Sequence, residues 1–105
     1  MGNIIYYKDE DFKNEIISKE GITLVDFFAT WCVPCQMLGV TLEELAKEAE
    51  YKIIKVDVEQ ARELSSEYGV RSVPTMFIFK DGEIAEQVVG ALTKDEIIEK
   101  VNKYI

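Results

Sequence analysis

Residues 22–35 read ITLVDFFATWCVPC. The first half, Ile22 to Phe28, is apolar on both alternating faces except at Asp26, the pattern of a central strand covered on both sides. The second half holds the chain's only two cysteines, its only tryptophan and one of its two prolines. Pro34 suits the first turn of a helix, where its missing N–H costs nothing. The run therefore reads as a buried strand that delivers two thiols to the start of a helix.

On either side of this run, apolar stretches alternate between strand-like and helix-like periods. Ile4 to Tyr7 reads as a short strand. Asp9, Glu10 and Asp11 then open a helix whose Phe12, Ile16 and Ile17 share a face and which Gly21 closes. Beyond the cysteines, Leu38, Leu42, Leu45 and Ala49 form an apolar stripe, with Glu43, Glu44, Lys47 and Glu48 on the solvated side. Lys52 to Val58 is another strand, and Ala61, Leu64 and Tyr68 mark a short helix stopped by Gly69. Thr75 to Phe79 and Ile84 to Val89 flank Lys80, Asp81, Gly82 and Glu83, a hairpin signal because Asp-Gly supplies the positive φ of a tight turn. Thr93 and Glu96 make a capping box, and Ile97, Ile98, Val101 and Ile105 give the last helix its buried face. The order β-α-β-α-β-α-β-β-α predicts an α/β fold, a mixed sheet with helices on both faces. Its early strands should be parallel and its last two antiparallel. No repeat or linker divides the chain, so residues 1–105 are expected to form a single domain.

A chain of 105 residues can bury roughly 65% of its unfolded surface and needs neither disulfide nor metal to hold a core. No apolar run approaches the 18 or so residues of a membrane span. The first seven residues lack the pattern of a signal peptide, so the expected location is the reducing cytoplasm. Twelve basic against twenty acidic side chains give a net charge of -8, which repels nucleic acid and anionic membranes and favours protein partners. The sequence contains no histidine, so its chemistry must run on cysteine, carboxylate or lysine.

Two cysteines separated by two residues can serve as half a metal site, a structural staple or a redox pair. A zinc or iron–sulfur centre wants about four ligands, which this chain could supply only by sharing the ion with a second copy. As a staple, so short a loop is worth about 2 kcal/mol, against about 5 for a loop of roughly 100 residues. Redox chemistry explains the spacing better. Cys32, just ahead of the helix, faces unpaired N–H groups and the positive dipole end, which favour thiolate. Cys35 lies one turn further in, beside Cys32 but less exposed. One sulfur can attack an incoming disulfide, and the other can then resolve the mixed disulfide. Asp26, a carboxylate in an otherwise apolar strand, should have its pKa raised by desolvation and be able to pass a proton near neutrality; the alternative is a satisfied polar group in the core.

The sequence resembles the thioredoxin family over essentially its whole length, through DFFATWCVPC from Asp26 to Cys35, VPT from Val73 to Thr75, KDGE from Lys80 to Glu83 and VGA from Val89 to Ala91. The resemblance implies a thioredoxin fold, a central five-stranded sheet of order 1-3-2-4-5 flanked by four helices, and protein disulfide reductase activity. It implies that Cys32 is the exposed nucleophile, Cys35 the buried resolving thiol, and Asp26 the group that assists deprotonation of Cys35. Lys55 matches the family's lysine beside that aspartate, although it reads equally well as a snorkelling surface lysine. Pro74 matches the family's cis-proline, which brings the backbone of Val73 to the sulfurs, where it can pair with an extended substrate. Trp31, Val33, Pro34, Val73, Val89, Gly90 and Ala91 then form a shallow apolar docking rim, with core packing the alternative for the valines. No bound cofactor is implied. Electrons come from a separate thioredoxin reductase, NADPH- or ferredoxin-linked, and pass to disulfide-containing target proteins; the chain is expected to act as a monomer. Rival readings are a thiol oxidase or isomerase of the same fold, which often carries histidine where Pro34 stands, and a binding module that uses the rim with redox incidental.

The sequence departs from the family pattern at four places. Val33 stands for the usual glycine between the cysteines and should alter the exposed lip of the site. Gln36 replaces a lysine or arginine, Val40 a helix-kinking proline, and Phe28 a frequent second tryptophan.

Overall fold

The computed structural model describes residues 4–105. Its elements are β1 (Ile4–Tyr6), a π-helical turn (Phe12–Ile16), β2 (Ile22–Phe28), α1 (Val33–Ala46), β3 (Lys52–Asp57), α2 (Arg62–Glu67), β4 (Thr75–Lys80), β5 (Glu83–Val89) and α3 (Lys94–Asn102). The strands form one mixed sheet in the order β1-β3-β2-β4-β5. Both β1 and β2 run parallel to β3, while β2 with β4 and β4 with β5 are antiparallel.

β2 lies at the centre because its sequence tolerates nothing else. From Ile22 to Phe27 every residue is buried, and strands pair with it on both edges. On one face, Ile22 and Leu24 pack with Leu38, Leu42 and Leu45 of α1 and with Ile97 and Val101 of α3. On the other, Val25 and Phe27 pack with Phe12 and Ile16 of the π-helical turn and with Leu64 and Tyr68 at α2. Each large apolar side chain buried in this way contributes roughly 1.5–3 kcal/mol, so the two layers hold β2 without help from the disulfide.

The first helix departs from expectation. Instead of running to Gly21 it is a single π turn, closed by the Ile17 N–H on the Phe12 carbonyl at 3.0 Å. Ser18 explains the stop: its hydroxyl donates to the Glu20 carbonyl at 2.8 Å and its N–H to the Thr23 hydroxyl at 3.3 Å, local bonds that compete with a helical path. Phe12, Ile16 and Ile17 are nevertheless buried. The Asp81–Gly82 turn has φ of 52° and 87°, the primed geometry that suits a hairpin. Asp81 also clasps Gly21, accepting its N–H at 2.7 Å on Oδ1 and donating to its carbonyl at 2.9 Å.

At the C-terminus the capping box forms as read, between Thr93 and Glu96. Ile105, however, is 78% exposed rather than part of the buried face. α3 stops at Asn102, and the following residues turn so that the Tyr104 hydroxyl donates to Glu86 of β5 at 2.8 Å. Glu86 also accepts from Lys100 at 2.7 Å and Lys103 at 3.4 Å. These bonds, that from Lys100 foremost, draw its carboxyl from 4.5 down to about 2. A carboxyl lowered on folding stabilises the native state above its unfolded value, and the benefit disappears as pH falls through the folded one. Glu86→Gln should therefore lower the urea midpoint at neutral pH, and the gap from the parent should narrow as pH falls from 4.5 towards about 2; equal midpoints at neutral pH would show that this clasp adds no stability.

Candidate active site

The topology gathers four segments at one end of the sheet. Ala29 to Cys32 follow the carboxyl end of β2, and Val58 follows that of the parallel β3, donating to the Phe28 carbonyl at 2.9 Å. β4 is antiparallel to β2, so Val73 and Pro74 ahead of it arrive at the same end, as do Gly90 and Ala91 after β5. Ligand sites in sheets of this kind form at the carboxyl ends of the parallel strands.

Cys32 is the N-cap of α1 and is joined to Cys35 as a disulfide, with Cα atoms 5.2 Å apart. The Cys35 N–H donates to Cys32 Sγ at 3.2 Å, and Pro34 occupies the first turn. No acidic residue lies in that turn, so the positive end of the helix dipole is left to the sulfur, which favours a thiolate once the pair is reduced. Gln36 turns away to donate to the Thr30 carbonyl at 3.1 Å.

Cys32 is less open than the family pattern implied: it is 5% exposed, against 2% for Cys35. Ala29, Phe28, Val58 and Val73 pack around the pair, and the Val73 carbonyl oxygen comes within 3.8 Å of Cys32 Sγ. The Val73–Pro74 peptide is cis, and the Pro74 carbonyl accepts from the Gly90 N–H at 2.9 Å, tying the last two loops together. Around this sealed centre the rim is open. Trp31, Val33 and Val89 are each more than 60% exposed, Pro34 and Ala91 are exposed, and Val73 and Gly90 are half-buried. Core packing thus does not account for Val89.

Four contributors were not singled out from the sequence. Val58, Val70, Arg71 and Ser72 join Trp31 and Val73 to line a groove of about 360 Å³. Three of them immediately precede Val73, and the neighbourhood of the proline was the available signal; only the strand register could have brought in Val58. Among the described residues no group of three or more His, Cys, Asp or Glu side chains could hold a metal ion, and no helix is long and apolar enough to cross a membrane.

The buried carboxylate lies within β2, two residues before its carboxyl end. Asp26 is completely buried and pairs in register with Lys55 on β3. The Lys55 ammonium is 3.8 Å from Asp26 Oδ2, beyond hydrogen-bond length, and neither carboxylate oxygen has a hydrogen-bond partner. Asp26 is therefore not a satisfied polar group of the core, and Lys55, itself buried, is not a surface lysine. Burial pushes the Asp26 carboxyl from 3.8 up to about 6, with the charge on Lys55 pulling the other way.

A thioredoxin family model matches residues 3–103. The chain belongs to the thioredoxin family. It is 44% identical over 99 residues to "Thioredoxin 2" of Chlorobaculum tepidum, covering 92% of this chain and 91% of that protein. With thioredoxin of Bacillus subtilis it is 42% identical over 104 residues, covering 97% and 98%. A solved structure of a mutant thioredoxin from Halobacterium salinarum superimposes with a TM-score of 0.88 at 38% identity, over 96% of this chain and 89% of that one. Thioredoxins are thiol–disulfide oxidoreductases, and the Cys32–Cys35 disulfide fits their redox-active site.

The buried Asp26 carboxylate carries a cost at neutral pH. A carboxyl whose pKa rises on folding binds its proton more tightly in the native state, so stability falls as pH climbs from 3.8 through about 6. A rise of about two units corresponds to roughly 3 kcal/mol at neutral pH. Asp26→Leu should then be more stable than the parent to urea by about 1–3 kcal/mol at neutral pH, and the difference should shrink as pH falls from about 6 towards 3.8. An unchanged or lowered midpoint at neutral pH would contradict the cost assigned to this carboxylate.

Proposed function

We propose that this thioredoxin reduces protein disulfides with Cys32 as nucleophile, Cys35 as resolving thiol and Asp26 as the proton acceptor for Cys35. The observation that carries this reading is the cysteine pair capping α1 against the Val73 carbonyl, ringed by exposed apolar side chains. The Cys32 thiolate attacks one sulfur of the target disulfide, expelling the other as thiolate and leaving a Cys32–target mixed disulfide. Cys35, its proton passed to Asp26, attacks Cys32 Sγ, closes the intramolecular disulfide and releases the second target sulfur. Two electrons have then left the protein. Only an outside reductant can restore them, which supports a thioredoxin reductase as the second partner.

An extended target segment would lie along Val73 and Pro74, its side chains on Trp31, Val33, Pro34, Val89, Gly90 and Ala91, and Lys55 would modulate the proton step. The protein works as a monomer in the cytoplasm, without a bound cofactor. Its thiols favour a reducing compartment, and its net charge of -8 opposes self-association. Pro34, where oxidising relatives of the fold often carry histidine, supports reductase over oxidase or isomerase.

Insulin reduction by dithiothreitol tests the reading. Cys32→Ser should abolish acceleration, and Cys35→Ser should accumulate targets as mixed disulfides; a Cys32→Ser variant with the parent rate would reduce the protein to a binding module. Gln36→Lys restores a positive charge one turn from Cys32 and should lower the pH at which its thiol ionises, followed by thiolate absorbance. An unmoved titration would show that position 36 does not act on the sulfur.

A further inference from the structure

The Lys55 ammonium occupies a seat made by three elements other than its own. The Phe28 ring of β2 lies with its centroid 4.6 Å from Nζ, and the Tyr6 ring of β1 at 5.9 Å. The two rings meet edge to face, their centroids 6.5 Å apart. From above, α1 closes the seat at Gly39, where a β-carbon would stand 3.1 Å from Nζ. That is tighter than most contacts of a β-carbon, so a larger residue at 39 requires the ammonium to give by a few tenths of an ångström. Asp26 Oδ2 completes the enclosure at 3.8 Å.

The seat is unusual in what it omits. An ammonium that is largely withdrawn from water normally donates direct hydrogen bonds to a carboxylate. Here the carboxylate stands beyond that distance, and aromatic faces supply the remaining attraction. The other ionisable groups on this face are few. Tyr6 belongs to the seat. Asp57, two residues along β3, accepts the Glu59 N–H at 2.9 Å and is tied to the following loop. Met76, opposite Asp26 on β4, carries no charge. Glu43 and Glu44 of α1 are exposed, and the thiols of Cys32 and Cys35 appear only on reduction. Lys55 is therefore the charge that answers Asp26, and its position is decided by its neighbours.

We propose that Phe28, Tyr6 and Gly39 are positioning residues that hold the Lys55 ammonium against Asp26 and so govern the proton step at the resolving thiol. The link to the thiol rests on the role proposed above for Asp26; the seat itself does not. Phe28 and Gly39 act more strongly than Tyr6, which is the more distant ring and is half exposed.

The test is a pH titration of the Asp26 side-chain carboxyl by carbon-13 NMR in the reduced protein, together with the pH profile of insulin reduction. Gly39→Ala is the decisive variant, because alanine is the better helix former and only the ammonium stands in its way. Phe28→Leu removes the π face and keeps an apolar side chain. Phe28→Leu should raise the Asp26 midpoint by roughly half a unit, the size expected for losing a cation–π contact; Gly39→Ala should raise it by less, and Lys55→Met should raise it most. Adding Gly39→Ala or Phe28→Leu to Lys55→Met should produce no further shift. Midpoints unmoved by both single variants overturn the seat, whether or not Lys55→Met moves them, and so do shifts that persist without the lysine. Failure of the underlying reading looks different: Asp26→Asn would leave the pH profile of reduction unchanged while the carboxyl titrations of the other variants still shift.

Discussion

Enclosure of β2 is the constraint on which the rest depends. A strand paired on both edges and packed on both faces has no access to water, so its side chains must be apolar or carry a function that outweighs the cost. Six of its seven residues meet the first condition or, like Thr23, bury a small hydroxyl. Asp26 does not meet the first, and the role proposed for it is of the second kind. The same enclosure makes the strand's carboxyl end a rigid platform, and α1 starts after only four intervening residues with its N-terminus held over the end of the sheet. The disulfide is thus aimed by the core and contributes little to holding it.

Much of this was legible from residue order, because the strongest signals are local. The capping box, the Asp-Gly turn, the apolar run of β2 and the proline at the start of α1 each follow from rules that span a few residues, and each appears where it was read. The first helix was misjudged because Phe12, Ile16 and Ile17 suit a longer helix, whereas the bonds made by Ser18 reach forward to Glu20 and Thr23. Ile105 failed for a similar reason: its spacing continues the stripe of α3, but Tyr104 leaves the helical path to reach Glu86 on a neighbouring strand. Periodicity cannot report a contact between elements.

The candidate site divides along the same line. Cys32, Cys35 and Asp26 stand out by residue type, since thiols are scarce in this chain and a carboxylate is foreign to its strand. Lys55 does not, because lysines are ordinary and only the β2–β3 register shows that this one faces Asp26. Gly39 and Phe28 are less visible still, since neither has chemistry of its own. The role proposed for them comes from the space and the π face they offer to a charge on another strand. The groove beside Trp31 follows the same logic: Val70, Arg71 and Ser72 were near in sequence, while Val58 became a neighbour only through the fold.

Trp31 is 67% exposed and adjoins the only disulfide, and the chain has no second tryptophan. An excited indole readily loses an electron to a nearby disulfide, whereas a dithiol accepts none. The emission of this protein therefore follows a single bond, without background from another indole. Each cycle of oxidation and reduction carries its own optical signal, so turnover can be followed in the unlabelled molecule as it works.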